Sequence, residues 1–560
     1  MENKKIARTL RLLSQLMELH GENPFKVKSM ANAAFKVDKL PFAVAGITLA
    51  AMEEVEGLGK STAAKVWELL QTGSIAELDN LLEKTPPGIA EMLQIKGLGP
   101  KKILIVWKDL GIENVGELYY ACNENRLIEA KGFGAKTQEE IKKIIEFRMA
   151  SSGRYLYARV EDFAEELIDH LKNSFPELQI SYTGDYRRKC EIIDGLDLLI
   201  GTALNEELAD RIQQSGLTVI DRSESRLSLE SADGIRTHID FCGKNDYGWQ
   251  LIEKTGNPAH VNNLKELLGE SDASDRSETE IYALAGIPFV EPELREGTNE
   301  LELAKQNNLP SLITFEDLKG SLHNHSNWSD GVNSLEEMAL FCRDDLKMGY
   351  LGICDHSKSA FYAKGLDEIR VAAQQREIDE LNKKLAPFRV FKGIESDILY
   401  DGSLDYGEEI LKTFDFVVAS VHSILKMSEE KATQRLITAI ENPYTTILGH
   451  PTGRMLLARS GYPIDHKKVI DACAANNVVI EINANPVRLD LDWRWHRYAI
   501  EKGVMLSVNP DAHRTSGFMD MHYGILVARK GGVSPADCLN CMDKESIERY
   551  FQSKKPVTAP

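Results

Sequence analysis

The sequence predicts a multidomain chain that combines α+β and α/β architecture. Three observations predict it. The chain has 560 residues, and at roughly 150 residues per domain that allows three or four domains. Its texture changes twice: apolar residues three and four apart run from residue 4 to about 150, short strand-like runs begin at 178, and strands alternate with helices from 319. Charge changes with texture. Residues 1–150 hold 21 Lys+Arg against 20 Asp+Glu, and the remainder holds 46 against 66.

Composition narrows the class. Hydrophobic residues make up 43% and charged residues 27%, an ordinary globular balance. No run of eighteen apolar residues exists, so no spanning helix is expected, and MENKKIARTLRLLSQL lacks the form of a signal peptide. The eight scattered cysteines then read as reduced thiols, and the expected location is the cytoplasm. A net charge of −19 argues against a protein that coats nucleic acid indiscriminately.

One pattern recurs in the N-terminal stretch: VEGLGKS (55–61), IKGLGPK (95–101) and AKGFGAK (130–136). Gly57 and Gly59, Gly97 and Gly99, and Gly132 and Gly134 allow tight turns with φ > 0. Each turn can offer backbone N–H groups at a helix start to a phosphate, with Lys60, Lys101 and Lys136 just beyond it. This resembles the helix-hairpin-helix module, which implies DNA-backbone binding.

The middle stretch supplies the strands LQISYTGDY, DLLIGTAL, LTVIDR, LSLE and THIDFC. With the hairpins, GDYRRKCEIIDGLDLLI (184–200) resembles the family X DNA polymerases. The resemblance implies a nucleotidyltransferase-like palm with Mg²⁺ held by three aspartates. Where the family has Gly-Asp-x-Asp, this chain has Asp194-Gly195-Leu196-Asp197. Asp197 and Asp240 keep their places. A one-residue slip turns Asp194 to the opposite face of a strand. Arg187, Arg188, Thr255 and Gly256 match nucleotide-binding positions, but Asp185 and Glu253 stand where the family has a serine and a tyrosine. The palm is therefore expected to hold dNTP weakly and to synthesise DNA poorly or not at all. Lys65 matches the Schiff-base lysine of the family's lyase by its offset from Gly57–Gly59; a solvated helix lysine is the other reading.

The last stretch begins with LHNHSNWSDG (322–331). His323 and His325 alternate, so both face one side of a strand. Asp330, His356, Glu395, His422, His450, Asp511 and His513 follow, nearly all at strand ends, where ligands bind in parallel sheets and barrels. Such N/O donors suit Zn²⁺, Mn²⁺ or Fe²⁺. The set resembles the polymerase-and-histidinol-phosphatase (PHP) domain, a distorted (βα)₇ barrel with up to three ions. The resemblance implies one ion on His323, His325, Glu395 and Asp511, a second on Glu395, His422 and His450, and a third on Asp330, His356 and His513. It also matches Arg454 and Arg488 to phosphate-binding positions; either could equally be a structural ion pair. Mn²⁺ or Zn²⁺ is the expected cofactor. Cys538 and Cys541 form a lone CxxC and read as buried helix cysteines. His466, His496 and His522 read as surface residues.

As a whole the chain resembles bacterial family X DNA polymerase with a C-terminal PHP domain. The expected domains are a helical 1–80, a helix-hairpin-helix 81–155, a palm 156–245, a thumb 246–300, a linker 301–318 and a PHP barrel 319–560; the acidic, proline-broken FVEPELREGTNELELAKQNNLP (289–310) reads as linker-like. The expected function is DNA-repair end processing by a metal-dependent 3′→5′ exonuclease on gapped, nicked or 3′-end substrates. An active gap-filling polymerase with a proofreading barrel, a non-catalytic DNA-binding scaffold and a small-molecule phosphatase are the alternatives.

Overall fold

A computed structural model describes residues 3–555 except 41, 96, 129, 151, 152, 214 and 215. It divides into two compact units, Met1–Glu146 and Phe147–Pro560.

The first unit is helical. Asn3–Leu19 packs along Pro24–Lys39. Ile6, Leu10, Leu13 and Met17 recur at helical spacing and bury against Met30, Ala33 and Val37. Asn23 caps the second helix by accepting from the Phe25 N–H at 2.9 Å. Helices Lys60–Thr72, Pro100–Leu104 and Ala135–Ala150 each start immediately after one of the three glycine turns.

The second unit holds a mixed sheet and a barrel. The sheet has β1 (Ile180–Tyr182), β2 (Leu196–Ile200), β3 (Thr218–Arg222), β4 (Arg226–Glu230) and β5 (Arg236–Phe241) in the order β1-β2-β5-β4-β3. Only β2 and β5 are parallel neighbours. Helix Tyr157–Ser174 buries Val160, Ala164, Leu167 and Leu171 in the same core as Leu198, Ile200 and Ile239.

The barrel has seven parallel strands: β6 (Gly320–Ser321), β7 (Tyr350–Ile353), β8 (Arg389–Lys392 continuing as Glu395–Asp397), β9 (Val418–Ser420), β10 (Ile447–Leu448), β11 (Val479–Asn483) and β12 (Leu506–Asn509). Bridges Asn324–Ala512 and His356–Glu395 join the strand extensions and close the ring. Tyr350, Phe391, Phe416, Val418 and Ile447 share a core with Ile547 and Phe551 of the C-terminal helix Lys544–Lys554. Phe551 stacks on Phe416 with ring centroids 4.8 Å apart. Apolar packing takes this region, and the polar residues collect at the strands' carboxyl ends.

The structure corrects the linker expectation. Residues 301–318 are packed: Leu301, Ala304 and Ile313 are buried, and the Ile313 N–H donates to the Val533 carbonyl at 3.0 Å. The neighbouring acidic residues are not solvated either. Glu293 pairs with Arg529 at 2.8 Å, Glu300 with His260 at 2.6 Å, and Glu296 with Arg188 at 3.0 Å and with Lys530.

Candidate metal centre and the altered palm

The extension of β6 carries the first two histidines. Its alternation sends His323 and His325 inward, while Asn324 between them donates to the Gly352 carbonyl at 3.0 Å. Asp330 lies on the loop that follows this extension, and the other six arrive on the carboxyl ends of the other strands or on the loops beyond them. Among the described residues, three donor groups form, each with its atoms within 4.8 Å: His325, Asp330, His356 and His513; His323, His325 and Asp511; and His356, Glu395 and His422. His450 Nε2 lies 3.0 Å from Glu395 Oε1. All nine expected residues therefore meet at one place. The grouping differs from the expected one: His325 sits with the Asp330 group, and His356 also reaches Glu395, at 3.0 Å.

The donor chemistry fits divalent cations. The His323 Nε2, both His325 nitrogens and Glu395 Oε2 are buried and make no hydrogen bond, a costly arrangement without an ion. Carboxylates hold the opposite nitrogens. Glu481 accepts from His323 Nδ1 at 2.7 Å, and Asp397 accepts from His422 Nδ1 at 2.5 Å. That fixes each tautomer so that Nε2 faces the cluster, as in metal sites whose outer carboxylates orient the histidines. Crowding works in the same direction. Burial, with His513 and His356 alongside, pulls His325 down to about 3, so its ring stays neutral. For Glu395, burial opposes ionisation, but His422, His323 and His356 outweigh it and hold the carboxyl well below its usual range. His450 (φ 21°) and Asp511 (φ 53°) both adopt the left-handed region, a local strain typical of functional positions.

Residues outside the expected nine brace the cluster. Glu481 also accepts from the His450 N–H at 2.8 Å and from Asn509 Nδ2 at 3.1 Å. Asp355 accepts from the N–H of Ser326 at 2.8 Å and from Gln374 at 2.6 Å, fixing the loop that leads to Asp330. A Glu in the wholly buried strand Val479–Asn483 is the signal that could have found Glu481. Of the two arginines, Arg488 lies near enough to help lower the His450 pKa, after burial. Arg454 is turned away, into Asp492 and the carbonyls of Arg488 and Leu489.

Two other readings need correction, His496 as a surface residue and Cys538 and Cys541 as helix residues, whereas His466 and His522 are partly exposed. His496 is fully buried and hydrogen-bonds the Leu491 carbonyl at 3.1 Å. His466 stacks on Trp495, and His522 pairs with Glu161 at 2.8 Å. Cys538 is buried and Cys541 half-buried, on a short 3₁₀ turn rather than an α-helix.

The palm is arranged differently. In the β2–β5 register Asp197 lies opposite His238 and Leu199 opposite Asp240, so Asp197 and Asp240 share a face. Arg226 reaches both, at 3.5 and 3.3 Å, and Lys254 lies 3.0 Å from Asp240. Asp194 points away into solvent, 3.7 Å from Arg154. Gly195 has φ 152°, and a Cβ there would lie 2.8 Å from the Arg236 carbonyl. The two palm arginines are also engaged. Arg187 forms a forked pair with Glu278, one arm at 3.0 Å, and donates to Thr255 at 2.9 Å. Arg188 holds Glu296 at 3.0 Å, the Thr255 carbonyl at 2.6 Å, and Asp185. The Gly256 backbone continues from Thr255 beneath this network, and a Cβ on it would meet Val261 at 2.9 Å.

In the first unit, Gly57, Gly97 and Gly132 have φ of 90°, 92° and 86°. Gly59 and Gly99 cap helices whose first turns have no acidic residue and no side-chain cap. A Cβ on Gly97, Gly99, Gly132 or Gly134 would meet nothing within 4 Å, so those turns face open space, and Lys60, Lys101 and Lys136 are exposed. Lys65 is clasped by Glu77, whereas a Schiff base needs an uncharged amine.

Fold and site together define a phosphoester-processing enzyme with a nucleotidyltransferase-type palm and DNA-binding hairpins. Residues 1–75 match the helix-hairpin-helix domain family, and residues 89–146 the SAM-like helix-hairpin-helix tandem family. The chain is 32% identical over 574 residues, 99% of its length and 100% of the relative's, to the "DNA polymerase/3'-5' exonuclease PolX" of Bacillus subtilis (strain 168). It is 32% identical over 185 residues, 31% of its length, to 73% of a "Probable phosphatase" of Thermoanaerobacter sp. (strain X514). A similar protein of Caldanaerobacter subterraneus is 39% identical over 105 residues, 18% of this chain and 39% of its own length. The chain belongs to the bacterial family X DNA polymerases that carry a C-terminal PHP domain.

Proposed function

We propose that the barrel centre hydrolyses DNA phosphoesters from 3′ ends, that the N-terminal hairpins grip gapped or nicked duplex, and that the palm no longer extends a primer. The convergence of nine donors, seven of them buried, with Glu395 within 3.6 Å of five imidazoles, carries the reading. Bound Mn²⁺ or Zn²⁺ would supply Lewis-acid stabilisation and lower the pKa of a water. The chain's own part is to aim the imidazoles, through Glu481 at His323 and Asp397 at His422, and to place the Arg488 charge beside the cluster.

A second reading, a gap-filling polymerase with a proofreading barrel, is favoured by the name of the Bacillus subtilis relative and by the shared face of Asp197 and Asp240. Against it, the two carboxylates already face Arg226 and Lys254. One experiment separates the readings. A labelled one-nucleotide-gap duplex is incubated with Mn²⁺, with and without dNTPs, using the wild-type chain and His323→Ala. Shortening by the wild type alone, with no extension by either, is expected. Efficient gap filling by His323→Ala overturns the palm assignment. Equal shortening by both chains overturns the barrel assignment.

A further inference from the structure

The barrel mouth carries apolar side chains that hydrolysis itself does not use. Phe361 is 87% exposed and Ile424 55% exposed. Phe361 opens the turn Phe361–Ala363, five residues after His356. The next residue, Tyr362, sets its ring edge-on to His356 with centroids 6.2 Å apart, which puts this turn beside the donor cluster. Ile424 lies two residues beyond His422 and has φ 55°, an unfavourable conformation for a β-branched residue. The conformation is held from beneath. The buried Arg435 donates to the carbonyls of Ser423 at 3.0 Å and Ile424 at 3.4 Å, and to that of Ile398. Asp397 ties the two loops together: it accepts from Ser359 at 2.8 Å in one and from His422 at 2.5 Å in the other. Lys364 and Lys426 are exposed on the same two loops. Exposed apolar groups on braced, strained backbone mark an interaction site.

We infer that Phe361 and Ile424 form a stacking clamp for the unpaired bases at the 3′ end of a DNA strand, with Lys364 and Lys426 set to meet its phosphates. The inference rests on the proposal that the barrel cuts such ends. A terminal phosphodiester reaches a recessed centre only after its base leaves the duplex. The freed base exposes two apolar faces, and an aromatic or aliphatic surface at the mouth replaces the lost stacking without reading sequence. The lysines match a polyanion and not an apolar protein partner.

The test uses the full chain with Mn²⁺ and a duplex bearing a 3′ overhang. Phe361→Ala is expected to raise KM roughly tenfold, with kcat changed less than about twofold. Ile424→Ala should raise KM less, and Phe361→Trp should keep the wild-type value. When the last two residues of the overhang are abasic, wild type and variants should share one KM. In EDTA, where nothing is cut, a 3′-terminal 2-aminopurine should be quenched by the wild type and not by Phe361→Ala. Unchanged KM and equal quenching in both alanine variants would overturn the clamp while leaving the hydrolytic reading intact. The same KM rise on abasic ends would also overturn it. A wild-type chain that cuts neither substrate overturns the hydrolytic reading, and the clamp with it.

Discussion

The palm and the barrel both gather carboxylates at the ends of parallel strands, yet they satisfy them with different partners. In the barrel, Glu395 and Asp511 face imidazoles, and His325 is held neutral. In the palm, Asp197 and Asp240 face Arg226 and Lys254. A neutral imidazole can turn a lone pair to a cation, so the barrel's carboxylates and histidines can act together as ligands. A guanidinium cannot be deprotonated in a protein, and its fixed charge competes with any metal for the same oxygens. The number of carboxylates in a site therefore says less about metal binding than the groups placed opposite them.

Glu395 gives the largest expected effect. It reaches both halves of the cluster, so Glu395→Ala should cost about a thousandfold or more in 3′-end hydrolysis, about 4 kcal/mol in the barrier. Metal content measured by mass spectrometry should fall in parallel. Asp240→Ala should leave that hydrolysis unchanged, which is the sharpest form of the contrast. A large loss from Asp240→Ala would place the nuclease in the palm.

Glu481 comes next. It touches no expected reacting atom but fixes His323 and His450. Glu481→Gln should weaken metal binding by about 10- to 100-fold, and excess Mn²⁺ should restore hydrolysis. Failure of excess metal to restore it would mean that Glu481 acts on the reaction rather than on the ligands.

The third prediction swaps Asp194 and Gly195 to rebuild the family's order in the palm. From sequence alone this looks restorative. The structure predicts the opposite, because Gly195 has φ 152° and a Cβ would lie 2.8 Å from the Arg236 carbonyl. Asp194→Gly with Gly195→Asp should lower unfolding free energy by about 3 kcal/mol or more, from backbone strain and overlap together. A urea titration measures it. A stable double variant that fills gaps would show that β2 can re-register.

These cases also mark what the sequence could show. The seven barrel strands and the convergent donors were legible because each donor closes a short apolar run, and fold rules put such ends together. The pairing of Asp197 with Asp240 came only from the family resemblance, since Asp197 lies at the start of its strand rather than closing one. Glu481, Asp397 and Asp355 were not, because their partners lie 158, 25 and 29 residues away with no local spacing to mark them. The segment read as a linker failed in the same way. Its glutamates look solvated until Arg529 and Arg188 arrive from 236 and 108 residues away.

The smallest expected effect tests whether the palm arginines now serve the fold. Glu278 is largely buried and bridges Arg187 and Arg295, the latter at 2.6 Å. Burial raises its pKa, but the hydrogen bond from Arg187 and the charges of Arg295 and Arg187 outweigh burial and hold it below the usual glutamate range. A carboxyl whose folded pKa is depressed stabilises the fold above its unfolded pKa, and that contribution is lost as pH falls through the folded value. Glu278→Gln should therefore cost about 2 kcal/mol near neutral pH, the scale of a lost charge-assisted hydrogen bond. The gap between wild type and variant should stay level down to about pH 5 and then narrow as pH falls below the ordinary glutamate range, about 4.3. Urea midpoints from about pH 7 to about pH 3 would measure it. A gap that stayed constant across that range would show that the loss comes from packing rather than from the ion pair. Adding dNTP supplies the second check. If Arg187, once released from Glu278, could bind a triphosphate, the nucleotide would stabilise the variant more than the wild type; an equal response in both would leave Arg187 as part of the fold.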